Sequence, residues 1–223
     1  MDIIEQAMEA DDIALDFFAG TGSLAEALIE QNVHEHAARR FIAVQLPEVI
    51  EGQLRELCVG VSTVADLCKE RIRRVISKNE GLGLQIGFKA FTLSSSNIKP
   101  WDAEFDSIDQ DLIESIDNIK PDRSEDDVLY ELLLKYGLDL AIPTETRDID
   151  GRKVTLIGAG ALIVCLADDI TLDVVSRIAA LKDELQPEVM RVVFKDSGFA
   201  DDVAKTNAAQ ILKQAGIDDV KSL

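Results

Sequence analysis

Ile13-Ala14-Leu15-Asp16-Phe17-Phe18-Ala19-Gly20-Thr21-Gly22-Ser23 is the stretch that decides the fold. Residues 13–18 form a short apolar run, the signal of a buried strand. Ala19-Gly20-Thr21-Gly22 then demands a tight turn, because Gly20 and Gly22 admit backbone angles and close approaches that other residues resist. From Ser23 the apolar positions 24, 25, 27, 28 and 29 follow helical spacing. A strand, a glycine turn and a helix start together place free N–H groups and a positive dipole end at the carboxyl edge of a sheet. That arrangement receives carboxylates and phosphates.

Outward from this stretch the same alternation continues. Residues 41–46 are a second buried-strand run, stopped by Pro47. Residues 63–76 carry apolar side chains at 64, 67, 68, 72, 75 and 76, with Lys69, Arg71, Arg73 and Arg74 on the opposite side. This predicts an amphipathic helix capped by Ser62 or Thr63, whose basic side chains form a solvated outer face. Residues 87–93 alternate with period two and predict a third strand. Strand, helix, strand, helix, strand is the order of a parallel α/β sheet covered on both faces. Further on, 128–136 predicts a helix. Residues 152–157 and 161–166 predict a hairpin about Gly158-Ala159-Gly160. Helices at 172–185 and 201–214 and strands at 189–194 and 220–223 complete a small α/β domain. Strands 154–157 and 162–166 are apolar enough to serve as a dimer interface. Residues 1–101, 102–127 and 128–223 therefore read as a ligand-binding portion, an acidic connector with one short helix near 112–119, and a C-terminal α/β domain.

Charge and composition narrow the function. The 223 residues include 42 acidic and 23 basic side chains, a formal net charge of −19. Residues 102–127 alone contain eleven acids and two bases, whereas residues 36–78 hold eight bases and five acids. A chain this acidic is repelled by phosphate backbones, which opposes a stand-alone nucleic-acid binder. Apolar runs of about eight residues are too short to span a bilayer, and the N-terminus lacks a signal-peptide pattern. Cys58, Cys68 and Cys165 are odd in number and show no paired spacing. His34 and His36 stand in a polar loop without a ligand cluster. No disulfide framework or metal site is implied, and the reading is of a reduced, cytoplasmic protein.

Two cofactor classes fit the glycine turn. Gly20-x-Gly22-x-x-Ala25 matches a dinucleotide fingerprint, which alone is a weak signal. Asp16 and Phe17 point elsewhere, since an acidic side chain there can take the ammonium of a methionine-type ligand, which a dinucleotide lacks. The segment Leu15–Gly22 resembles the S-adenosyl-L-methionine (AdoMet) motif of amino-methylating DNA methyltransferases. Arg40-Phe41-Ile42-Ala43-Val44-Gln45-Leu46-Pro47-Glu48 is similar to the following strand in the modification subunit of type III restriction–modification systems. The likeness continues through 65–72, 87–91 and 95–102, and through Asp196-Ser197-Gly198-Phe199-Ala200 and Lys205-Thr206-Asn207.

The resemblance implies a partial AdoMet-dependent, Rossmann-like methyltransferase sheet followed by a small α/β domain. It implies cofactor contacts from Asp16, Phe17, Phe18, Ala19, Gly20, Thr21, Gly22 and Ser23, with Gln45 or Glu48 at the ribose. DNA, a restriction subunit and a second modification subunit are the implied partners, with a homo-oligomeric assembly. The family's second motif, Asp/Asn-Pro-Pro-Tyr/Phe, holds the flipped adenine. The five prolines of this chain are never adjacent, so that motif is absent, and no catalytic residue is assigned. The chain reads as the C-terminal portion of an adenine-N6 methyltransferase, inactive alone. A non-catalytic assembly module is the alternative.

Overall fold

The computed structural model describes residues 2–52, 60–81, 86–99 and 119–223. Contacts divide the chain into two compact units, Met1–Thr92 and Leu93–Leu223. The connector helix expected at 112–119 lies, except for Ile119, outside the described residues.

In the first unit, helix α1 (Asp2–Ala7) precedes strand β1 (Ile13–Asp16). Helix α2 (Ser23–Glu35) follows the glycine turn and leads to β2 (Arg40–Ala43). The two strands pair in parallel, with Ala14 opposite Phe41 and Leu15 opposite Ile42. Helix α3 (Val64–Lys78) opens with a reciprocal capping box between Thr63 and Asp66. Its Cys68, Ile72 and Val75 share one face by helical spacing and pack with Ala19, Ala25 and Ile29. Phe41 packs onto the same cluster. Side chains alternate across a strand, so Ile13, Leu15, Ile42 and Val44 project to the other side. All four are exposed.

The expected third strand at 87–93 does not form. Ile86 and Phe88 pack on the α2–α3 cluster, and Arg73 lies 5.9 Å over the Phe88 ring. Beyond Phe88 the alternation has no counterpart in burial, since residues 89–93 are all exposed. Ladder partners, which alone make a strand, are not found for this segment among the described residues.

In the second unit, helix α4 (Glu125–Lys135) begins with a Ser124–Asp127 capping box. Glu125, Asp126 and Asp127 occupy its first turn, where acid complements the helix dipole. Strands β3 (Thr144–Ile149), β4 (Arg152–Ile157), β5 (Leu162–Cys165), β6 (Arg191–Phe194) and β7 (Asp219–Ser222) form one sheet in chain order. β3, β4 and β5 pair antiparallel, whereas β5, β6 and β7 pair parallel through helices α5 (Leu172–Leu185) and α6 (Asp202–Gln214). The hairpin about Gly158-Ala159-Gly160 forms as read. β3 has no counterpart among the strands that the sequence predicts.

Alternation divides this sheet between two cores. Val154, Leu156, Ile163, Cys165, Val192 and Phe194 meet α5 and α6. Ile157, Leu162, Val164, Leu166 and Val193 meet α4. Both faces of β4 and β5 are therefore covered within the unit. The expectation that 154–157 and 162–166 form a dimer interface is corrected: their apolar runs reflect burial on two sides, as in α/β sheets generally.

Candidate functional site

The candidate site stands at the carboxyl ends of β1 and β2. Asp16 closes β1, and its carboxylate accepts the Phe18 N–H at 3.2 Å, which turns the chain back on itself. Phe17 and Phe18 are exposed, with ring centroids 5.2 Å apart. Ala19 is buried, and its N–H donates to the Val44 carbonyl at 3.1 Å. The Gly22 N–H donates to the Ala19 carbonyl at 2.8 Å and closes the turn. Gly20 and Gly22 have φ of +54° and +81°, the left-handed region that glycine enters without steric cost.

Gly22 is the N-cap of α2 and has no side chain with which to cap it. The helix start therefore offers N–H groups and dipole to a ligand. A Cβ on Gly20 would find only the Phe18 carbonyl oxygen, at 3.9 Å, so there is open space against the turn. Beneath Gly22 there is none. Cys68 of α3 fills that volume, and burial, followed by the Asp16 carboxylate, pushes its thiol above its ordinary value. A protonated, enclosed thiol is a packing group rather than a nucleophile.

Gln45 and Gly20, 25 residues apart, are brought together: the Gly20 N–H donates to Gln45 Oε1 at 2.7 Å. Glu48 is exposed, and its backbone carbonyl accepts the Val64 N–H at 2.9 Å, tying the segment after β2 to the start of α3. Asp16 through Ser23 and Gln45 thus meet at one sheet edge. The glycine pattern revealed the turn. The Gln45 bond had no sequence signal beyond a polar residue at a strand end.

The basic side chains of α3 are paired. Lys69 meets Asp66 at 2.8 Å, Arg71 meets Glu26 at 2.6 Å, and Arg73 and Arg74 both meet Glu70, at 3.9 and 2.8 Å. This agrees with a solvated, ion-paired face. In the second unit, Asp196 forms an ion pair with Lys205, and Lys195 meets Asp168 at 2.7 Å. Asp201 caps α6 through the Ala204 N–H. Among the described residues no helix is long and apolar enough to cross a membrane.

No protein-family model matches the chain. Three curated relatives do. The Mod subunit of the type III restriction-modification enzyme EcoP15I of Escherichia coli is 29% identical over 155 residues, 70% of this chain and 23% of that protein. The EcoPI Mod subunit of Escherichia phage P1 is 33% identical over 91 residues, 40% of this chain and 14% of that protein. The StyLTI Mod subunit of Salmonella typhimurium is 30% identical over 111 residues, 48% of this chain and 17% of that protein. The chain is thus related to part of a type III modification subunit, and its matches span less than a quarter of each relative's length.

Proposed function

We propose that this chain is the AdoMet-holding C-terminal portion of a site-specific DNA adenine-N6 methyltransferase of a type III restriction–modification system, with a Rossmann-like cofactor fold. The observation that carries the reading is the glycine turn at the carboxyl end of β1. It opens an uncapped helix beside a second parallel strand, in a chain of which 70% matches part of a Mod subunit. The residues fit the cofactor. Open space borders Gly20, the α2 N-terminus suits a carboxylate, and the Asp16 carboxylate suits an ammonium. Phe17 to Ser23 would hold the methionine half, and Gln45 or Glu48 the ribose. When bound, AdoMet supplies an electrophilic sulfonium methyl group. This chain's part is to orient the donor.

The open apolar side of β1 and β2 supports a larger assembly. Parallel strands are stable when both faces are covered, yet Leu15 is 59% exposed. The base-holding Asp-Pro-Pro-Tyr/Phe motif is absent from the sequence, so the chain alone transfers no methyl group. DNA, a restriction subunit and a second modification subunit are the partners of the whole protein, in the cytoplasm. Titration calorimetry tests the reading: one saturable AdoMet site is expected, tighter than any NAD site. Tritiated AdoMet with DNA should give no incorporation. Absence of AdoMet binding, tighter NAD binding, or methyl transfer by this chain alone would each overturn it.

A further inference from the structure

Three hydrogen bonds fasten the glycine turn to the segment that continues β2. The Val44 N–H donates to the Asp16 carbonyl at 2.8 Å, and the Ala19 N–H donates to the Val44 carbonyl at 3.1 Å. These two are backbone bonds and depend on no particular side chain. The third, from the Gly20 N–H to Gln45 Oε1 at 2.7 Å, exists only because residue 45 carries a carbonyl of this length. The other end of the same amide is also engaged, since Gln45 Nε2 donates to the Leu46 carbonyl at 3.2 Å. Reversing the amide would set two donors against each other at Gly20, so the network fixes its orientation.

The position of this bond matters more than its strength. Gly20 is held at φ +54°, and the turn continues through Thr21 directly into the uncapped start of α2. A glycine in this region has wide conformational freedom, and a bond to its N–H removes much of it before any ligand arrives. Preorganisation of that kind lowers the ordering cost of binding. It also takes up one lone pair of Gln45 Oε1, while the Leu46 carbonyl takes one hydrogen of Nε2, so both ends of the amide already serve the turn before any ligand arrives.

We infer that Gln45 is a positioning residue, whose carbonyl oxygen fixes the glycine turn through Gly20 and so prepares the cofactor site without touching the ribose. The inference rests on the AdoMet reading above. It leaves Glu48, exposed on the same segment, as the residue for the ribose hydroxyls.

Two measurements on the full chain test it. The first is hydrogen exchange at the Gly20 amide without ligand, in the wild type, Gln45→Ala and Gln45→Glu. The alanine variant should exchange about tenfold faster, whereas Gln45→Glu keeps an acceptor and should retain protection. The second is calorimetry with S-adenosylhomocysteine and with its 2′,3′-dideoxyribose analogue. Gln45→Ala should weaken both ligands by the same factor of about five, the worth of one hydrogen bond. Gln45→Glu should restore both. Unchanged Gly20 exchange in Gln45→Ala would overturn the inference, as would an affinity loss confined to the ligand with ribose hydroxyls. If the wild type binds neither ligand, the AdoMet reading fails with it, and Gly20 exchange still decides whether Gln45 fixes the turn.

Discussion

Gly22 lies directly over Cys68: a Cβ added to Gly22 would stand 2.8 Å from Cys68 Sγ and 3.5 Å from the Cys68 carbonyl oxygen. The thiol is itself enclosed, so it has little room to yield. Gly20, two residues earlier, would meet nothing nearer than 3.9 Å. The two glycines of one motif thus answer to different constraints. Gly22→Ala combines positive-φ strain with a clash and should cost about 2–3 kcal/mol. Gly20→Ala carries only the strain and should cost about 1 kcal/mol. Adding Cys68→Ala should return part of the Gly22→Ala loss, because it removes the clashing sulfur but not the strain. Urea unfolding of the three variants beside the wild type checks this, and equal costs for the two glycine variants would contradict it.

The exposed side of β1 and β2 predicts an asymmetry between two leucines. Leu28 of α2 is fully buried, whereas Leu15 of β1 is 59% exposed. Leu28→Ala should cost about 2–4 kcal/mol through its cavity. Leu15→Thr should change stability by less than about 0.5 kcal/mol, as surface substitutions do. It should nonetheless reduce binding of a hydrophobic dye and concentration-dependent light scattering, since Leu15 belongs to an apolar patch with Ile13, Ile42 and Val44. A large unfolding penalty for Leu15→Thr would mean that this face is covered.

Glu131 of α4 gathers the residues before the helix. It accepts hydrogen bonds from Ser96 Oγ and the Asn97 N–H, both at 2.6 Å, and pairs with Lys135 at 2.8 Å. Partial burial pushes its carboxyl up, but the bonds from Lys135, Ser96 and Asn97 outweigh it and hold the group at about 2, below its ordinary 4.5. A depressed folded-state value gives stability that is full above pH 4.5 and fades as pH falls toward 2. Glu131→Gln should cost about 1–2 kcal/mol at neutral pH and flatten the acid side of the stability curve. Urea midpoints between pH 7 and about pH 2 measure both effects. An unaltered acid limb in Glu131→Gln would refute the assignment.

What the sequence made legible follows from how local each signal is. The Thr63–Asp66 cap involves residues three apart and is expected from the sequence, whereas the equally local Ser124–Asp127 cap starts its helix at Glu125, ahead of the expected 128. The turn at Gly158-Ala159-Gly160 is a local need for positive φ, which all three residues satisfy. β3 is hidden in the sequence because Thr-Glu-Thr-Arg-Asp-Ile has the composition of a polar loop, although Asp150-Gly151, both at positive φ, is a hairpin signal. Residues 87–93 mislead in the opposite direction: their alternation says nothing about a ladder partner, and beyond Phe88 their side chains are exposed. The turn of the candidate site was legible from Gly20 and Gly22. The Gln45–Gly20 bond was not, because a contact across 25 residues exists only once the parallel pair has formed.

Gly198 in Asp196-Ser197-Gly198-Phe199-Ala200 is governed by packing rather than by turn geometry. A Cβ there would stand 2.3 Å from the Ala167 carbonyl oxygen and 2.8 Å from Ile170 Cδ1. The nearer atom is backbone, and rotating a side chain cannot relieve the overlap. The same loops are joined by the Ile170 N–H donating to the Gly198 carbonyl at 2.7 Å. Retreat of either strand end would therefore loosen the junction after β5 and β6, next to the fully buried Ile163 and the nearly buried Phe194. Gly198→Ala should cost about 3 kcal/mol or more, the size of severe overpacking. Trimming Ile170 to Val in addition should recover only a minor part, because it leaves the Ala167 oxygen in place. Urea unfolding followed by the near-ultraviolet signal of the Phe194–Phe199 pair, whose centroids are 5.3 Å apart, reports on this unit directly. A Gly198→Ala protein as stable as wild type would show that the β5 and β6 ends separate freely.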